Sequence, residues 1–296
     1  MAGIVMCEPR EMYNILNQSN KFSRLAEPNY LCLLDCRTKR EYNESHVVSA
    51  KFVDKGENDE YLLPKGVELE CMKYCVVYDS NTNSLVDDTQ PAIQCAQVLQ
   101  EVSRLPIRIL MGGYERFTAL YHFFRTQKVL WLPREIDEFQ PYPLEILAAG
   151  LYLGDVRQAN DPNIQKDLKI KAQVNVTEEP GKLFPPGACH VFQIPVPDSC
   201  DVDIFTFFPD LCKFIDAHMS PTFSVLVFSS LGISRSATMV IAYLIYWQKK
   251  TLKEAWNHVL KCKSNIRPNR GFVKQLSLWE EQIHGTAITD ISDPNY

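Results

Sequence analysis

The residues whose types and spacing could do chemistry lie in one run, SVLVFSSLGISRS, from Ser224 to Ser236. An apolar, strand-like stretch leads into a turn around Gly232, and Arg235 opens the helical pattern that follows. Such a turn can aim successive backbone N–H groups, here from 230 to 235, at one anion. The helix behind it adds its positive amino end. Gly232 supplies a backbone shape that other residues resist, and Arg235 can grip two phosphate oxygens at once. A bare GxSRS is a weak signal, and its bland reading is an ordinary strand-to-helix turn. Between a buried strand and a buried helix the signal is strong.

The nucleophile is the weak point of this loop. A thiol in such a place, ordinarily near pKa ~8.5, can be drawn far down by a helix amino end. The hydroxyl of Ser229 forms no comparable anion near neutral pH and needs an adjacent general base. Phe228, the residue before it, cannot be that base.

The elements that must position this loop follow from the patterning. LYLG (151–154), AQVNVT (172–177), VFQIPV and SVLVF read as strands, and Asp161-Pro162 starts a helix as N-cap and first residue. Ile204, Phe208, Leu211 and Ile215 step along a helix with Asp203 as its cap. Thr251-x-x-Glu254 is a capping box, and Phe272, Leu276, Trp279 and Ile283 mark the closing helix. From Thr286 a loose tail is expected. The first half alternates in the same way: LCLLD (31–35) and YCVVYD (74–79) are buried strands. Ala92, Ala96, Leu99 and Val102 line one face of a helix over 90–104, and IRIL leads into the helix of MGGYERF. The layout is α/β.

Bulk properties set the limits. The chain has 296 residues, enough for two domains, and a net charge of −5, which argues against a nucleic-acid binder. The run ATMVIAYLIYW is about half the ~20 residues that span a bilayer and reads as a buried helix, so no membrane insertion is expected. The amino end carries neither a secretory nor a transit signal. The expected location is intracellular, in the cytoplasm or on an organelle such as the mitochondrion. The ten cysteines are then reduced. Cys32/Cys36 and Cys71/Cys75 lack zinc-spaced partners and read as buried thiols, so neither metal nor cofactor is expected.

The second half is similar to the dual-specificity protein phosphatases. LYLGDVRQAN, IQKDLKIKAQVNVTEE, FQIPVPD, VLVFSSLGISRSATMVIAYLIY and PNRGFVKQL occur in that family's order. The family signature is His-Cys, five residues, Arg, then Ser or Thr. Gly232, Ser234, Arg235 and Ser236 match it; the Cys position falls on Ser229 and the His position on Phe228. The resemblance implies a phosphate-binding loop of Ser229, Ser230, Leu231, Gly232, Ile233, Ser234, Arg235 and Ser236. It places the family's general acid at Asp198, with nothing to protonate. It implies a pseudophosphatase with no functional catalytic residue.

Residues from about 10 to 125 resemble a rhodanese-type domain, the module that precedes the phosphatase domain in mitogen-activated protein kinase phosphatases. LLDCRTKREYNESHVVSAKFV and ILMGGYERFTALYHF carry the likeness. Active rhodaneses head the loop after the central strand with a cysteine. Here Asp79 stands at that position and Cys75 lies inside the strand, so no sulfurtransferase activity is expected. The kinase phosphatases dock kinases through an arginine cluster in this module. The matching stretch, VDKGENDEYLLPKGVELE, holds Lys55 and Lys65 among acids, which speaks against that mode. Lys39 and Arg40 belong on a solvated helix face.

The expected organisation is an inactive rhodanese-like domain (1–128), a linker (129–143), an inactive dual-specificity-phosphatase-like domain (144–285) and a tail (286–296). Each domain is a sheet flanked by helices. The expected function is a catalytically inactive adaptor that binds proteins phosphorylated on Tyr, Ser or Thr, or that regulates or competes with other phosphatases. Two readings stay open beside it: a weak dual-specificity phosphatase, and a scaffold that binds no phosphate.

Overall fold

The computed structural model describes the chain except residues 1–2, 21, 65, 130–134, 136–139, 149, 181–188, 221 and 294–295. It divides into two compact units, Met1–Pro141 and Tyr142–Tyr296. Most of the stretch expected as a linker lies outside the described residues, as does Lys65.

The first unit is built on strands β1 (Ile4–Cys7), β2 (Leu31–Asp35), β4 (Lys51–Phe52), β5 (Tyr74–Tyr78) and β6 (Ile107–Leu110), all parallel in the order β1-β6-β5-β2-β4. A small antiparallel pair, β3 (His46–Val47) and β7 (Arg125–Thr126), stands apart. Helices α1 (Pro9–Asn17), α2 (Lys39–Glu44), α3 (Pro91–Gln100) and α4 (Gly113–Leu120) flank the sheet. LCLLD is apolar almost throughout because a parallel sheet is covered on both faces, and Cys32 to Asp35 are all buried. Lys39 and Arg40 are exposed on α2, where Arg40 pairs with Glu44. Helix α3 stops at Gln100, so Val102 lies past its end and is half-buried. Of the two CxxxC pairs, Cys71 is exposed rather than buried.

The second unit orders its strands β11-β10-β12-β9-β8, where β8 is Leu144–Leu147, β9 Leu151–Asp155, β10 Ile170–Asn175, β11 His190–Gln193 and β12 Ser224–Ser229. All pairs are parallel except β8 with β9. Helices α5 (Val156–Asn160) and α6 (Pro162–Asp167) follow β9, and α6 starts on Asp161 and Pro162 as expected. Then come α7 (Phe208–His218), α8 (Arg235–Gln248), α9 (Leu252–Cys262) and α10 (Arg270–His284). Helix α8 is apolar all round because α7, α9 and α10 pack against it; Ser236 to Ile245 are buried without a break. Among the described residues no helix is long and apolar enough to cross a membrane.

Two further expectations need correction. The helix expected from Ile204 begins as a 3-10 turn, Phe205–Phe207, before α7. Pro209 has no N–H to return to Phe205, so a full α-turn cannot start earlier. Ile204, not Asp203, is the N-cap of this turn; Gln275 Oε1 accepts Ile204 N and Phe205 N, and Asp203, one residue earlier, accepts Thr206 N at 3.3 Å. The tail after Thr286 is not loose. The buried Glu280 carboxylate accepts Ile288 N, Thr289 N and Thr289 Oγ1 together with Leu252 N. Arg270 donates to the Ile291 and Asp293 carbonyls, and Tyr296 packs edge-on against Trp256.

Candidate phosphate-binding site

Strand β12 delivers the loop. Its last pairs are Phe228 with Asn175 and Gly154, and Ser229 with Asp155. The chain then folds over the end of β9 at Gly232, whose φ is 69°. A Cβ at Gly232 would stand 2.6 Å from the Gly154 carbonyl oxygen, so both the backbone angle and the space demand glycine. Arg267 N donates to the Ile233 carbonyl at 2.9 Å, which pins the far side of the loop. Helix α8 starts directly after, with Thr238 N and Oγ1 both donating to the Ser234 carbonyl.

Among the described residues, no acceptor takes the backbone N–H groups of 230–234. Arg235 lies beside them and is largely buried. Its Nη1 donates to the Val196 carbonyl and its Nη2 to Ser230 Oγ, each at 2.9 Å. Its Nε has no hydrogen-bond partner and lies 3.9 Å from Asp198 Oδ2. The guanidinium is thus fixed at its head, with its Nε–H left without an acceptor.

Ser229 is 3 % exposed, and its Oγ is hydrogen-bonded to Ser236 Oγ at 2.9 Å; Ser236 and Phe228 are equally withdrawn from solvent. Asp198 stands at the rim, where its Oδ1 accepts Ser234 Oγ and Asn269 Nδ2, each at 2.8 Å. Leu231 is exposed at the tip of the loop. The residues expected in the loop from Ser229 to Ser236 therefore lie together, with Asp198 beside them. Val196, Asn269 and Arg267 join them from elsewhere in the chain. Only Asn269 had a local signal: it follows Pro268 and caps α10 by accepting Phe272 N at 3.0 Å.

In the first unit, Asp79 is buried at the carboxyl end of β5. Its Oδ1 accepts Asn81 N and Thr82 N, and its Oδ2 accepts Thr82 Oγ1 and Ala92 N, the last from the first turn of α3. These four donors are held by the side chain of Asp79 itself and are not open to an outside anion. Burial pushes the Cys36 thiol nearby well above its ordinary pKa, which disfavours its thiolate. Among the described residues, no group of three or more His, Cys, Asp or Glu could hold a metal ion.

Residues 151–282 match the family model described as dual specificity phosphatase, catalytic domain, and residues 20–120 match the rhodanese-like domain. Dual specificity protein phosphatase 4 of Gallus gallus is 32% identical over 232 residues, covering 72% of this chain and 61% of the relative. Dual specificity protein phosphatase 1 of Rattus norvegicus is 29% identical over 308 residues, 91% of this chain and 83% of the relative. The crystal structure of human tyrosine phosphatase-like serine/threonine/tyrosine-interacting protein aligns at 30% identity with a TM-score of 0.43, over 47% of this chain and 95% of that one. The chain thus joins a rhodanese-like domain to a domain of the dual-specificity phosphatase family, and it is homologous to the dual-specificity protein phosphatases. It spans less than two thirds of the length of the phosphatase 4 relative.

Proposed function

We propose that the second unit binds a phosphoryl group without hydrolysing it. The chain is then a pseudophosphatase: an adaptor or regulator that recognises proteins phosphorylated on Tyr, Ser or Thr, or that competes with active phosphatases for them. The observation that carries this reading is the contrast within one loop. The N–H groups of 230–234 and Arg235 Nε lack acceptors, while the hydroxyl in the nucleophile's place is buried and engaged by Ser236. A serine attacks phosphorus only with a base to take its proton, and Phe228 has none to offer. In the first unit, Asp79 in place of the sulfur carrier supports the absence of sulfur transfer.

A pull-down from a phosphopeptide library with the intact chain, beside Arg235→Ala, tests the binding. Enrichment of phosphopeptides by the wild type alone supports it; identical profiles favour a scaffold whose loop binds no phosphate. The weak-phosphatase reading draws on one observation, the retention of Asp198 within 3.9 Å of Arg235. Phosphate release from a phosphopeptide, abolished by Ser229→Ala, would establish it.

A further inference from the structure

The short link from α9 to α10 forms one wall of the phosphate-binding loop. Arg267 N donates to the Ile233 carbonyl, and two residues further on Asn269 Nδ2 donates to Asp198 Oδ1. Burial alternates along the link: Ile266 and Pro268 are buried, Arg267 is exposed and Asn269 half-buried. Asn269 is extended, with φ −70° and ψ 160°, and in an extended chain residues i and i+2 share a face. The Arg267 side chain therefore leaves the wall on the face from which Asn269 reaches the rim.

Its charge has no counterpart in the chain. Among the described residues Arg267 has no carboxylate within ion-pair distance. The carboxylates on this side of the loop face other cations. Asp155 N lies 3.4 Å from where a Cβ on Gly232 would stand, and the Asp155 carboxylate pairs with Arg157 at 2.9 Å and attracts the buried Lys263. Burial draws the Lys263 ammonium down to about 8, so it keeps most of its charge at neutral pH. Asp198 faces Arg235 at 3.9 Å. With both carboxylates anionic, Arg157, Lys263, Arg235 and Arg267 still leave an excess of positive charge. Glu178 and Glu179 follow β10, across β12 from β9.

We propose that the segment bound at Arg235 carries an acidic residue close beside its phosphorylated one, and that Arg267 holds the acidic side chain. The proposal rests on phosphate binding by the loop and names what else the loop selects. An extended chain advances ~3.3–3.6 Å per residue, so an acid one or two residues from the phosphorylated one falls beside a wall that is itself bonded to the loop. The N–H groups of 230–234 with Arg235 are the place for a dianion. Arg267 adds one charge and a fork of donors, which match a single carboxylate.

Calorimetry on the full chain with three phosphotyrosine peptides tests this. One has alanines around the phosphotyrosine, one has glutamates at the two positions before it, and one has glutamates at the two positions after it. One of the glutamate peptides is expected to bind the wild type about threefold to fivefold more tightly than the alanine peptide, the upper end for an exposed ion pair. The preference should shrink in 0.5 M salt. Arg267→Ala should lose the preference and Arg267→Glu should reverse it. The ratio is read within each variant, so a general loosening of the loop drops out, and thermal unfolding checks that the fold is kept. Equal binding of the three peptides by the wild type, or a preference that either folded variant retains, would overturn the proposal and leave the phosphate reading in place. No binding of any of the three by the wild type would overturn the phosphate reading, and this proposal with it.

Discussion

Ser229 Oγ and Ser236 Oγ share a hydrogen bond of 2.9 Å in a place that solvent scarcely reaches. The two hydroxyls satisfy each other, so the residue in the nucleophile's position has a partner but no proton acceptor stronger than another hydroxyl. A thiolate at the same point would instead receive the Ser236 proton as a hydrogen bond and feel the amino end of α8.

Activity should therefore return on substitution. Ser229→Cys with Phe228→His is expected to hydrolyse p-nitrophenyl phosphate, with Arg235 placed for charge and Asp198 for the leaving group. Ser229→Cys alone should be about tenfold to hundredfold slower, the loss expected when a charge-assisted hydrogen bond is missing. A folded double variant as inert as the wild type would mean that the loop has lost more than its nucleophile.

Arg235→Ala removes the charged donor whose Nε has no acceptor. Affinity for a phosphopeptide should fall about tenfold to hundredfold, since hydrogen bonds to charged groups contribute ~1.5–3 kcal/mol. Calorimetry with one phosphotyrosine peptide reads this directly, and equal affinity would remove Arg235 from the site.

Gly232→Ala forces a side chain into φ 69° and to within 2.6 Å of the Gly154 carbonyl. The strain should cost about 1–3 kcal/mol in denaturant unfolding. Phosphate affinity should fall as well, because relief of the clash moves the loop off β9. Unchanged stability would show that the loop can shift without cost.

Local signals were legible in the sequence where the partners are neighbours. Asp161-Pro162 and the Thr251–Glu254 capping box start helices as read, and the buried runs of β2 and β12 show a covered sheet. What stayed hidden depends on residues far apart in the chain. Asn269 reaches Asp198, Val196 offers its carbonyl to Arg235, and Glu280 gathers the tail. No periodicity encodes such contacts. Asp79 was legible as a missing cysteine, but not as the internal anion that fills its own loop.

Glu280 gives the fold a dependence on acid. Burial pushes its carboxyl up, but the Thr289 and Leu252 N–H groups, the Thr289 hydroxyl and Ile288 N outweigh that and hold it below its ordinary 4.5. A carboxyl with a lowered folded pKa contributes its full stability above the unfolded value and loses it as pH falls through the folded one. The tail should stay tethered at pH 4.5 and come free only as the pH falls through the lowered folded value, seen as faster amide exchange at Ile288 and Thr289. Glu280→Ala should release it at neutral pH and cost about 2–4 kcal/mol through unpaired buried donors. Unchanged exchange in that variant would contradict the tether.

The most direct measurement is a phosphorus-31 NMR spectrum of a phosphotyrosine peptide held for hours with a stoichiometric amount of the wild-type chain, repeated with Arg235→Ala. The expected result is a peptide resonance shifted and broadened by the wild type but not by the variant, with no inorganic phosphate signal in either. Inorganic phosphate accumulating with the wild type, or a peptide resonance that the wild type leaves unmoved, would contradict binding without hydrolysis.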